Sequence, residues 1–155
     1  MSSLEVALQL RADDLGGQSG HVSNVAYLRL IDEARHQLFG VTLPGGDSYV
    51  GGIFEVLENS AQYIVAQQSI EYRSEVFWRA QQLTVRLWFP RIGSSSCTMA
   101  AEIFDGDATE ACVVAEAETV FLSREDHKAW RIEEKTRDVL ERYAGPRPGL
   151  RPRPA

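Results

Sequence analysis

Apolar and polar residues alternate along the start of the chain, and apolar residues then recur at helical spacing. Leu4, Val6, Leu8 and Leu10 alternate with Glu5, Ala7, Gln9 and Arg11. That period-two pattern predicts a half-buried strand. From Val25 to Phe39 the apolar residues Tyr27, Ile31, Ala34 and Leu38 recur every three to four positions, which predicts a helix. Val25, Leu28 and Leu30 widen its apolar surface beyond one stripe. A helix of that kind is expected to be buried on most sides. Asn24 is placed to cap its start and Gly40 to end it.

Four further strand-like runs follow: "YIVAQQSIEYR", "QLTVRLWF", "CTMAAEIF" and "CVVAEAETVFL". The second alternates cleanly, Leu83, Val85, Leu87 and Phe89 against Gln82, Thr84, Arg86 and Trp88. Pro90 and "IGSSS" break it from the third, and "FDGDA" reads as a hairpin turn before the fourth. "LPGGDSYVGG" reads as a loop, and "IFEVLENSAQ" as either a short helix or the lead-in to a strand. A second helix is predicted over Arg131–Tyr143, with Ile132, Thr136, Val139 and Tyr143 on one face. One apolar helix followed by an antiparallel meander must have its faces covered by a curved sheet. The fold class is α+β.

Length and composition add limits. At 155 residues the chain is read as one domain, with residues 1–144 folded and residues 145–155 a Pro/Arg-rich tail expected to be disordered and removable. A net charge of −6 argues against nucleic acid or an anionic membrane as partner. The N-terminus has no basic region followed by an apolar run, and no stretch approaches a membrane span. The two cysteines, Cys97 and Cys112, form no CxxC pattern and suit a reducing compartment. A cytoplasmic setting is expected. His21, His36 and His127 are scattered, so no metal site and no cofactor is expected. There is no GxSxG elbow, P-loop or dinucleotide fingerprint.

The local motifs and their order resemble the hotdog-fold thioesterases, in the branch of 4-hydroxybenzoyl-CoA thioesterase and its YbgC-like relatives. The matching residues are Gly20, His21, Val22, Asn24 and Tyr27, then Glu33, Ala34 and Arg35. Ser23 stands where an asparagine is usual. "IEYRSEV" resembles the family's I-x-Y-x-x-P-V strand without its proline, "RIGSSS" its R-I-G-x-S-S turn, and "AEAETVFLSRE" its last strand. The resemblance implies a five- to six-stranded antiparallel sheet wrapped around a long central helix, with a C-terminal helix beyond it. It also implies a homo-oligomer, a dimer or a tetramer, acting on an acyl-CoA or an acyl-carrier-protein thioester. The alternative is a protein of the same fold that binds acyl thioesters without hydrolysing them. That alternative is raised by the glycine, Gly16 or Gly17, that stands where the family's catalytic aspartate is usual.

Thioester hydrolysis needs a donor for the developing oxyanion, a base or nucleophile, and an apolar slot. Backbone N–H groups at the helix start near Asn24 can donate, and Gly20 lets the backbone approach substrate. Asp14 and His21 are the catalytic candidates, with Asp14 reaching the site through its glycine-rich loop. Asp14 also reads as a loop carboxylate bonded to nearby backbone, and His21 as a solvated or capping histidine. Gly20, Ser23, Asn24, Tyr27, Glu33, Arg91 and Ser95 are the substrate-binding candidates. Glu33 lies about 13 Å along the helix from its start, too far to share a first-turn oxyanion site, and it also reads as a pair with Arg29. Should neither carboxylate matter, polar groups such as Gln18, Ser23 or Asn24 would have to position water.

Overall fold

The computed structural model describes residues 2–17, 19–42, 49–53 and 61–155. Gln18, residues 43–48 of the expected loop and residues 54–60 of the ambiguous run lie outside the described residues. One five-stranded antiparallel sheet carries the fold, built from β1 (Leu4–Gln9), β6 (Ala61–Tyr72), β7 (Gln82–Ile92), β8 (Ser96–Asp105) and β9 (Val113–Ser123), in the order β1-β7-β8-β9-β6. α1 (Asn24–Phe39) packs on one face. Two small ribbons flank it: β2 (Leu15–Gly16) with β3 (His21–Val22), and β4 (Val41–Thr42) with β5 (Tyr49–Val50). The chain closes with α2 (Glu134–Glu141).

The period-two pattern does what it predicts. Leu83, Val85 and Leu87 stand opposite Asp105, Ile103 and Ala101, and the three apolar side chains of β7 are fully buried. Against them α1 sets Leu30, Ile31 and Ala34, all at or below 1% exposure. The methyl of Ala34 lets the helix lie close to the sheet. Phe39, at the end of α1, meets Tyr63, Phe89 and Phe121 with ring centroids 4.8, 6.2 and 5.9 Å away. That burial is the main stabilising term of the fold.

Four features differ from the sequence expectation. Ser23 rather than Asn24 caps α1: its backbone is extended (φ −61°, ψ 139°) and its Oγ accepts from Val25 N–H at 3.3 Å. Both residues are good caps, and Asn24 takes the first helical position. The flank of α1 at Val25 and Leu28 is exposed, not buried. α2 begins three residues late because Trp130 and Ile132 are held extended, their N–H groups donating to Phe121 and Ser94 at 2.9 and 2.8 Å. Its buried residues are Thr136 and Leu140, with Leu140 in the place expected for Val139, and Ile132 is buried just ahead of it. Finally, β7 runs on through Pro90 with a register shift between Trp88 and Arg91. Proline has no N–H to give the ladder, so it falls where the pairing is already irregular.

The C-terminal segment lies against this sheet. Phe89 N–H donates to Tyr143 and its carbonyl accepts from Gly145, so the chain continues along the β7 edge past the end of β1. Trp88 Nε1 donates to Pro146 at 2.7 Å and Arg147 pairs with Glu116 at 3.1 Å.

Candidate active site

Two segments far apart in sequence are stitched together beside the start of α1. Val22 N–H donates to Val76 at 2.8 Å, and Trp78 N–H donates to Gly20 at 2.9 Å. Gly20 makes this turn in the left-handed region, at φ +76°. Gly16 is fixed by space: a Cβ there would come within 2.8 Å of Ser23 Cα. The stitching opens a cavity of about 310 Å³. One wall is His21, Val22, Asn24 and Tyr27, and the other is Tyr72 to Val76.

Each wall is held from behind. The His21 ring stacks on Phe77 with centroids 4.6 Å apart and planes tilted by 32°. Tyr27 and Tyr72 rings meet at 5.7 Å, and Tyr72 OH donates to the Asn24 carbonyl at 3.2 Å. Burial pushes the Tyr27 phenol well above its ordinary pKa, with Cys112, Asp105 and Tyr72 adding to the rise. It is therefore a neutral hydroxyl at any physiological pH. Nearby Cys112 is pushed up to about 11 by burial and is no nucleophile.

Asn24 carries the first backbone N–H of α1. The first N–H groups of a helix have no partner within it. Ser23 N–H is taken by the Asp14 carbonyl at 2.7 Å, Val25 N–H by Ser23 Oγ, and Ala26 N–H by the Ser23 carbonyl at 2.9 Å. Among the described residues, Asn24 N–H has no acceptor, and Asn24 is a wall of the cavity. A positively biased helix start with a spare donor suits an oxygen that gains negative charge.

The sequence candidates divide. His21, Asn24 and Tyr27 line the cavity, Gly20 forms its turn, and Ser23 caps the helix behind it. Asp14 does not line it. Its side chain is 5% exposed and bidentate with Arg29, Nε donating to Oδ1 at 3.1 Å and Nη2 to Oδ2, while Arg11 N–H donates to Oδ2 at 2.6 Å. Glu33 completes that network, accepting from Arg29 Nη1 at 2.9 Å and from Arg11 Nη2. Burial works to lower the Arg29 pKa, but Asp14 and Glu33 outweigh it and hold the guanidinium above its ordinary value. Arg91 and Ser95 also lie outside the cavity wall. Arg91 Nη2 reaches Glu118 at 2.5 Å, and the Ser95 carbonyl accepts from Phe121 N–H at 2.9 Å.

Sequence reasoning assigned no role to Tyr72, Arg73, Ser74 or Glu75, the other half of the cavity. The motif "IEYRSEV" contains all four and was visible as a strand end. Nothing local to it says that His21 packs against it. His21 Nδ1 lies 3.8 Å from Glu75 Oε2. Among the described residues, no group of three or more His, Cys, Asp or Glu side chains is placed to hold a metal ion. No described helix is long and apolar enough to cross a membrane.

A family model described as the thioesterase-like superfamily matches residues 17–140. No curated protein matches the chain. Among solved structures it is similar to the PA5185 protein of Pseudomonas aeruginosa, at 22% identity over 91% of each chain with a TM-score of 0.73. It is similar to a predicted thioesterase of Bacillus stearothermophilus, at 17% identity over 95% of this chain and 100% of that one, TM-score 0.74. A Staphylococcus aureus protein solved in complex with CoA matches at 12% identity over 97% of this chain and 89% of that one, TM-score 0.71. At such identities the likeness is one of fold, the hotdog fold of a sheet wrapped on a helix.

Proposed function

From the premise that this chain belongs to the thioesterase-like superfamily, we propose that it hydrolyses an acyl-CoA to a carboxylic acid and CoA. The observation that carries this reading is the spare N–H of Asn24, a residue of the cavity wall. The thioester carbonyl oxygen accepts from that N–H. His21 takes a proton from water, and the hydroxide adds to the carbonyl carbon. The tetrahedral intermediate collapses, the C–S bond breaks, and the thiolate leaves with the proton from His21. Val22, Tyr27, Tyr72 and Val76 receive the apolar part of the acyl group.

At about 310 Å³ the cavity is at the small end of ligand sites, about 300–1,000 Å³. It accommodates the thioester and a modest acyl group, and leaves the nucleotide of CoA outside. That CoA is the carrier is supported by the CoA bound to the Staphylococcus aureus neighbour. The test is thiol release by the purified protein from short, long and aromatic acyl-CoAs. Release above background from at least one is expected. If none gives release yet CoA thioesters still bind, the chain is a thioester-binding protein of the same fold. The engagement of Asp14 by Arg29 is the observation that favours that second reading.

A second copy of the chain belongs to this proposal. β6 is an edge strand of 12 residues with Ile64 and Val65 exposed, and α1 exposes Val25 beside the cavity wall. A long apolar edge of this kind invites pairing with another strand. Sedimentation at micromolar concentration is expected to give at least twice the 17.3 kDa chain mass. Substituting Ile64→Lys and Val65→Lys together should shift the protein toward monomer. A stable monomer of the unchanged protein would overturn the assembly.

A further inference from the structure

Among the residues that form the cavity wall there is one carboxylate, Glu75, and one imidazole, His21. They come from the two segments stitched together there, and Nδ1 lies 3.8 Å from Oε2. We propose that Glu75 is the positioning residue of His21: it holds the ring with the proton on Nδ1 and turns the Nε2 lone pair to the substrate water. This rests on the hydrolytic reading above and supplies its second acid–base member.

Three observations carry it. First, Glu75 is uncommitted. Asp14, Glu33, Glu71, Glu102 and Glu118 each pair with an arginine, whereas the only charged contact of Glu75 among the described residues is His21. Second, its backbone is fixed on both sides. Arg73 and Ser74 N–H groups donate to the Cys112 carbonyl at 2.8 and 3.2 Å, and the Val76 carbonyl accepts from Val22. Third, the partner ring is held by its stacking on Phe77, so its edges keep a set direction.

At 3.8 Å the contact is an ion-pair distance, longer than a hydrogen bond. The Glu75 side chain is 76% exposed, so solvent rather than packed protein surrounds most of it. A torsional adjustment of under about one ångström brings Oε2 into reach, and such contacts commonly tighten when substrate binds. The proton account then closes. Water gives its proton to Nε2, and the imidazolium is stabilised by the Glu75 carboxylate without receiving its proton. Nε2 returns the proton to the departing thiolate, and Nδ1 keeps its own throughout.

The experiment is a double-mutant cycle on the full chain with an acyl-CoA that it hydrolyses. Glu75→Ala is expected to lower kcat about 10- to 100-fold with KM changed less than about twofold. Glu75→Asp should recover part of the loss. In a His21→Ala background, Glu75→Ala should cost nothing more, because the carboxylate acts through the ring. Full kcat in Glu75→Ala, or an undiminished loss in the His21→Ala background, overturns the assignment and leaves the hydrolytic reading intact. Should the unchanged protein hydrolyse nothing, the hydrolytic reading falls, and NMR of the imidazole nitrogens still decides the pair. The neutral His21 proton should sit on Nδ1 in the unchanged chain and shift toward Nε2 in Glu75→Ala. The same proton distribution in both chains overturns it.

Discussion

Asn24→Pro is expected to lower kcat by about 10²–10³-fold while leaving α1 in place. Proline at the first helical position costs a helix little, because the N–H it removes has no partner within the helix. The local geometry already suits it. Ser23 is extended at ψ 139°, the conformation a following proline demands. Asn24 N–H makes no bond to any described residue, so no structural hydrogen bond is lost. The Asn24 carbonyl keeps its bond from Tyr72 OH. What disappears is the donor that the proposed oxyanion would use. Asn24→Ala is the control for the lost side chain and should retain most of the activity. Helix content by circular dichroism and the melting temperature should be nearly unchanged in both variants. Full kcat in Asn24→Pro would place the oxyanion donor elsewhere.

The sequence made this half of the site legible because its signals are local. Glycine, a capping residue and an apolar helical run announce a helix start wherever they occur together. The one-residue error at the cap arose because Ser23 and Asn24 are both capping types, and only backbone angles separate them. β7 was legible because one face of it is buried, which forces the period-two pattern of Leu83, Val85 and Leu87. The start of α2 was not, because it is set by Trp130 bonding to Phe121 of β9 and Ile132 bonding to Ser94 in the turn between β7 and β8. The same reason hid the other half of the cavity. Residues 72–76 are brought beside His21 by the bonds between Val22 and Val76 and between Gly20 and Trp78. No periodicity in either segment encodes that pairing. The partners of Asp14 were hidden in the same way. Its glycine-rich loop suggested a carboxylate free to reach substrate, while Arg29, fifteen residues on, holds both of its oxygens.

Asp14→Asn therefore separates two accounts of one residue. A catalytic carboxylate would lose at least about tenfold in kcat with KM and stability unchanged. The structure leads to the opposite expectation. Asp14 is 4% exposed, and its charge is opposed by Arg29, whose side chain is 21% exposed. Breaking a buried ion pair by removing one partner costs about 3–5 kcal/mol. Two features reduce that here. Glu33 stays bonded to Arg29, and an amide oxygen can still accept from one donor. We expect a loss of about 2–4 kcal/mol, which lowers the melting temperature by roughly 5–15 °C for a chain of this size. At temperatures where the variant stays folded, kcat should fall less than about threefold. Glu33→Gln, at a carboxylate 30% exposed in the same network, should cost under about 1 kcal/mol. Because both substitutions act on one guanidinium, the double variant should depart from the sum of the two. A tenfold loss of kcat in Asp14→Asn with an unchanged melting temperature would mean that the carboxylate leaves Arg29 during turnover. Asp14 would then take over the part proposed for His21 and Glu75.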